Sequence, residues 1–142
     1  MTEIAFHFNA PDKVAYACRL LRKAVAAGAR LVVTGEAELL RRLDQALWTF
    51  APLEFVPHSL ASGDARAVAA SPVLLSERLE DLPHSQVLVN LGEQVPQGFE
   101  RFERLIEVVS LDEADRQQAR GRWKHYVDRG YAIVRHDLNL KA

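Results

Sequence analysis

Leu31-Val32-Val33-Thr34-Gly35-Glu36 is the stretch whose reading decides the fold. An apolar run of strand length stops at a glycine, and a helical pattern starts at once, with Leu39, Leu43, Leu47 and Phe50 recurring three and four residues apart. Upstream, Ile4, Phe6 and Phe8 alternate with Ala5 and His7, which is the two-residue period of a strand and turns His7 away from the aromatic side chains. Asn9-Ala10-Pro11-Asp12 then reads as a helix start, Val14, Cys18, Leu21 and Val25 follow at helical spacing, and Gly28 is placed to end the helix in a left-handed conformation. Strand, helix, strand, helix in that order predicts an α/β domain. The expected architecture is three layers, α/β/α, around a central mixed, mostly parallel sheet, with residues 1–142 forming a single domain.

Further along, Pro52 is expected to stop the second helix, and Ser59 to Ser71, rich in Ala, Ser and Gly, reads as a surface loop. Val73-Leu74-Leu75 and Gln86 to Leu91 read as strands separated by a turn at Asp81-Leu82-Pro83-His84. Phe99 and Phe102 suggest a short helical turn laid on the sheet, and Leu105 to Val109 another strand. Ser110-Leu111-Asp112-Glu113 has the pattern of a capping box, so the last long helix should start there and end at Gly130. Within it Ala119, Trp123, Tyr126 and Val127 are expected to form the buried stripe. Tyr131 to Val134 then makes a closing strand, and Arg135-His136-Asp137 fades into a tail.

Composition narrows the function. The chain has 142 residues, 49% of them hydrophobic, which is enough for one real core. Its formal net charge of -1 gives no global pull toward nucleic acid or an anionic membrane. The single cysteine, Cys18, excludes an internal disulfide or a cysteine zinc site, and its place on an apolar helix face marks an inert thiol. Neither a signal segment nor an apolar run near the ~20 residues of a membrane span is present, so a soluble, cytoplasmic protein is expected.

The Thr34-Gly35-Glu36 turn lies where α/β folds bind phosphates, but it carries one glycine, and Glu36 and Glu38 would repel an anion. A small α/β enzyme or nucleotide-binding protein would draw on His7, Asp12 and Glu36 near the strand ends. No nucleophile turn or short metal-ligand spacing supports it. Direct nucleic-acid contact through Arg116 to Arg129 is disfavoured by the near-neutral charge and by the acids at that helix's start.

Two stretches suit docking better. Leu43-Asp44-Gln45-Ala46-Leu47-Trp48 runs into Phe55-Val56-Pro57-His58, and Trp48 falls off the apolar helix line. An aromatic pair beside a proline-stiffened loop is a good anchor for a partner. Arg116 and Arg120, one turn apart beside an aromatic stripe, would suit a peptide both acidic and apolar, because guanidinium forks pair with carboxylates. The plainer alternative is solvated charge, with both arginines paired to Asp112, Glu113 or Asp115.

The Leu43 to Trp48 block, Phe55-Val56-Pro57-His58, Leu88-Val89-Asn90-Leu91, Ile106-Glu107-Val108-Val109, and Ala119-Arg120-Gly121-Arg122-Trp123-Lys124-His125-Tyr126 closing at Gly130 together resemble the chi subunit family of bacterial DNA polymerase III. The resemblance covers nearly the whole chain, although the stretch between Val109 and Arg116 is shorter than in enterobacterial members. It implies a non-catalytic accessory subunit of the clamp-loader assembly that needs no cofactor or metal. It further implies a psi-subunit interface at Trp48, Phe55 and Pro57, and a site for the acidic, phenylalanine-ended tail of single-stranded DNA-binding protein at Arg116, Arg120, Trp123 and Lys124. A repair helicase is a further candidate partner in place of psi.

Overall fold

The computed structural model describes residues 1–49 and 55–141. Phe50 and Pro52, expected to complete and stop the second helix, lie outside the described residues. In chain order the elements are β1 (Glu3–Ala10), α1 (Lys13–Ala26), β2 (Leu31–Thr34), α2 (Ala37–Thr49), β3 (His58–Leu60), α3 (Ala65–Ala70), β4 (Val73–Leu75), β5 (Val87–Asn90), β6 (Arg104–Ser110), α4 (Glu113–Asp128) and β7 (Ile133–Asp137). Short 3-10 turns occupy Phe99–Arg101 and Leu138–Lys141.

The seven strands form one sheet in the order β3-β4-β2-β5-β6-β1-β7. Every recorded pairing is parallel, so the three-layer α/β domain is as expected while the sheet is parallel throughout rather than mixed. The reason lies in the connections. Residues 76–86 carry the chain from β4 to the far side of β2 instead of turning it back into a hairpin, and Leu79 is buried on the way.

Alternation along the strands divides the core in two. Leu31, Val33, Val73, Leu75, Val89 and Val108 face α1 and α2, whereas Ile4, Phe6, Val32, Leu74, Leu88 and Leu105 face α4 and the Phe99–Phe102 turn.

Caps fix the helix starts. Asp12 accepts from Ala15 N at 3.0 Å to open α1, and Gly28 follows that helix at φ +88°. The start of α4 differs from the expected box. Asp112, not Ser110, is the N-cap, accepting from Asp115 N at 3.1 Å, and Asp115, not Glu113, reaches back to Ser110 N at 2.7 Å. The N-cap thus lies two residues further on, at Asp112, while the Ser110 N–H that the box would satisfy is still met, by Asp115 in place of Glu113.

Two further expectations are corrected. The segment Ser59 to Ser71 is not a plain loop. It holds the edge strand β3 and the short helix α3, whose cap Asp64 accepts from Ala67 N at 3.2 Å. In α2, Leu40 joins Leu43 and Leu47 on the buried face while Leu39 is only partly covered.

Candidate functional site

The C-terminal ends of β1 and β6, the outward side of α4 and the edge strand β7 enclose an open groove of about 480 Å³. Its floor is apolar, built from Phe6, Phe8, Val109 and Ala119 and walled by Trp123. Trp123 is fixed edge-on to Phe6 with ring centroids 5.2 Å apart. Arg116 and Arg120 stand exposed on the α4 rim, one turn apart. Arg120 meets Glu113 at 3.5 Å, but both side chains are more than 60% exposed, a geometry that is worth little in water.

A third guanidinium, Arg135, enters from β7. Its charge lies over the rings of Phe8 at 5.3 Å and Trp123 at 5.7 Å. The sequence pattern alone puts Arg135 in a fading tail. Only the register of β7 on β1, which sets Arg135 opposite Phe6, brings it to the groove. Lys124, expected at the same site, does not line it and pairs instead with Asp128 at 3.0 Å.

What holds α4 at that angle is a buried polar cluster. Arg122 Nε donates to Glu107 Oε1 at 2.9 Å, Arg122 Nη1 to Glu93 O at 2.8 Å, and Tyr126 Oη to Glu107 Oε2 at 2.6 Å. Asn90 Nδ2 adds bonds of 3.1 Å to both Glu107 oxygens. Burial pushes the Glu107 carboxyl up, against the opposing pull of the Arg122 charge and of its three donors. Arg122 thus takes the buried position expected for Val127, which is exposed. Apolarity ranks Val above Arg, and the pattern of one helix cannot see the acid on β6 that pairs the arginine. The signal available was a Glu inside the apolar run Leu105 to Val109. Lys13 Nζ, 2.9 Å from Asp115 Oδ1 and 3.1 Å from Leu91 O, ties the helix start to α1 and β5.

The second surface lies at the opposite edge of the sheet. Trp48, at the end of α2, is 61% exposed and Phe55 is 42% exposed, and their rings are 4.8 Å apart. Beneath both sits the buried ring of His58, with centroids 5.4 Å from Trp48 and 5.5 Å from Phe55. Its nitrogens reach Val56 O at 2.7 Å and Asp44 Oδ1 at 3.0 Å. Pro57 is exposed beside it. The structure therefore brings Trp48, Phe55 and Pro57 to one surface and adds Asp44 and His58 as its support.

The strand-end residues do not converge. His7 is buried against the Tyr16 hydroxyl of α1, Asp12 caps α1, and Glu36 accepts from Glu93 N at 3.3 Å, with β5 and β6 standing between β2 and β1. Among the described residues no group of three or more His, Cys, Asp or Glu is placed to hold a metal ion. Cys18 is fully buried, and burial first, with Asp12 second, pushes its thiol up to about 11. No helix among the described residues is long and apolar enough to cross a membrane.

Fold and surfaces together define a small three-layer parallel α/β domain that presents one exposed aromatic pair and one arginine-rimmed groove with an aromatic floor. The family model described as DNA polymerase III chi subunit, HolC, matches residues 1–134, and the chain belongs to this family. It is 35% identical to the DNA polymerase III subunit chi of Pseudomonas aeruginosa over 97% of this chain and 98% of that protein. It is 30% identical to the subunit of the same name from Haemophilus influenzae, over 82% and 81% of the two chains. For the Escherichia coli K12 subunit the figures are 26%, 82% and 79%. Membership assigns the chain to the DNA polymerase III assembly and to DNA replication.

Proposed function

We propose that the chain is a non-catalytic bridge within the replicase. It takes the psi subunit of the clamp-loader complex on the Trp48, Phe55 and Pro57 surface and the C-terminal tail of single-stranded DNA-binding protein in the groove between α4 and β7. The observation that carries this reading is the groove itself, an apolar floor beside Arg116 and Arg120, with no carboxylate among the described residues that line it. A terminal phenylalanine ring would fill the floor while the peptide's acids meet the rim. A repair helicase could occupy the first surface in place of psi, since aromatic anchors of this kind do not by themselves select one partner.

Function then follows from tethering. The tail is present in many copies on coated single-stranded DNA, so even a weak contact raises the local concentration of polymerase at the fork. In this role the protein uses no cofactor, makes no direct contact with nucleic acid and acts in the cytoplasm.

Calorimetric titration of the tail peptide, with and without its terminal Phe, against wild type and Arg120→Ala tests the groove. Arg120→Ala should weaken binding by about 1.5–3 kcal/mol, the range for a hydrogen bond to a charged group, with thermal stability almost unchanged. Physiological salt should weaken the wild type as well, leaving a residual affinity that depends on the Phe. Equal affinities for wild type and variant would show that Arg120 is only a solvated helix charge.

A further inference from the structure

The ring of His58 has an oxygen at each end. Nδ1 lies 2.7 Å from Val56 O, and Nε2 lies 3.0 Å from Asp44 Oδ1. A neutral imidazole carries one N–H and one lone pair, so it serves only one of two acceptors and sets its lone pair against the other. The imidazolium donates from both nitrogens, and it alone satisfies a carboxylate and a backbone carbonyl together. The side chain is only 1% exposed, so water has little access to replace a lost partner.

The two acceptors belong to different pieces of the aromatic surface. Val56 lies between Phe55 and Pro57, and Asp44 stands on α2 one turn before Trp48. A ring that donates to both is a clamp, tying the loop that carries Phe55 to the helix end that carries Trp48. Among the described residues, Asp44 is the one charged group that meets the ring. Elsewhere on α2, Arg41 pairs with Glu38 at 2.6 Å, and Arg42 lines the cleft toward α1 with Asp12. On β4, Val73 stands opposite His58, and His84 gives its Nε2 to Ser71 O at 2.7 Å. On α3, Asp64 caps the helix and Arg66 is exposed.

Resting on the reading of this surface as the psi-subunit interface, we propose that His58 is a positioning residue whose second ring proton holds the docking surface in its binding form. Loss of that proton frees one end of the clamp. Affinity for psi is therefore full while the ring is charged and falls as pH rises through its titration. By linkage, capture of psi favours uptake of a proton.

The test joins a spectroscopic titration to a binding one, both over about pH 5–9, which spans the titration of an imidazole. Nitrogen-15 NMR of the whole chain follows the protonation of Nδ1 and Nε2 of His58. Calorimetric titration with the psi subunit should show wild-type affinity falling roughly 3–10-fold from acid to alkaline pH, the equivalent of one net hydrogen bond remade on docking. The midpoint should match that of the His58 nitrogen signals. In Asp44→Asn the side-chain amide donates to an unprotonated Nε2, so the clamp stays closed with a neutral ring. That variant should keep the acid-side affinity throughout, and the ratio of wild type to variant removes any titration of psi itself. A ratio that stays flat with pH, or a step whose midpoint departs from that of His58, overturns the proposal while leaving the interface standing. Failure of wild type to bind psi at any pH overturns the interface, and this inference with it.

Discussion

Trp48, Phe55 and His58 form one aromatic cluster, but the three rings carry different burdens. The two outer rings are exposed, so truncating either removes little packing from the fold. Trp48→Ala or Phe55→Ala should abolish or severely weaken capture of the clamp-loader partner, by ~2 kcal/mol or more as for an interface anchor. Thermal melting should stay within a few degrees of wild type. A melt that instead loses the ~3–5 kcal/mol typical of a core aromatic would make the residue part of the core and remove the interface. His58→Ala reverses the pattern, because a buried ring bonded to Val56 and Asp44 is lost. Urea denaturation should register a cost of about 1–3 kcal/mol, with partner affinity falling because the outer rings lose their support. Trp48 was legible in the sequence because it sits off the helix line of Leu43 and Leu47. The role of His58 was not, since Asp44 lies on a different element and only the return of the chain into β3 brings the two together.

Helix α4 shows how one element serves two masters, a groove on one side and a buried ion pair on the other. Arg122→Ala would leave Glu107 charged and unpaired inside the core, so a loss of about 3–5 kcal/mol is expected by chemical denaturation. Replacing both, Glu107→Leu with Arg122→Met, should cost less than that single change, because the desolvation of both charges disappears together. If the double replacement is the more damaging, the cluster contributes net stability beyond mutual compensation. The start of the same helix has its own pH signature. Burial works to raise the Asp115 carboxyl, yet the Ser110 N–H and Lys13 together hold it below its ordinary value. A folded-state pKa below the unfolded one means stability that is present above about pH 4 and lost as pH falls through the folded value. Asp115→Asn should therefore cost about 1–2 kcal/mol at pH 7, and its stability curve should converge on wild type in acid. A gap that persists below both values would remove the charge from the explanation. The limits of α4 were readable from its polar start and Gly130. Its inward face was misread because the burial of Arg122 depends on a residue of β6.

At the scale of the molecule, the two proposed docking surfaces stand on opposite edges and opposite faces of the sheet. β4, β2 and β5 lie between the edge strand that carries His58 and the strands that floor the groove. At the usual strand spacing this is a separation of roughly 20–30 Å. Occupancy of one should leave the other untouched, so tail-peptide affinity should be the same with and without saturating clamp-loader partner. A shift of more than a few-fold would mean that the two sites are coupled through the sheet. The alternation of strand and helix made the layers legible in the sequence. Strand order was not, because a continuous apolar run such as Leu31 to Val33 reads alike at every central position.

That order has a consequence for how the protein is made. β1, the first strand to leave the ribosome, lies between β6 and β7, with Glu3 beside Arg104 and Ile4 beside Ile133. At about 5–20 residues per second, its partners arrive roughly 5–25 s after it does. Throughout that interval Ile4, Phe6 and Phe8 have no sheet to join, so the nascent chain must carry an aromatic β segment with both edges open until β6 has emerged.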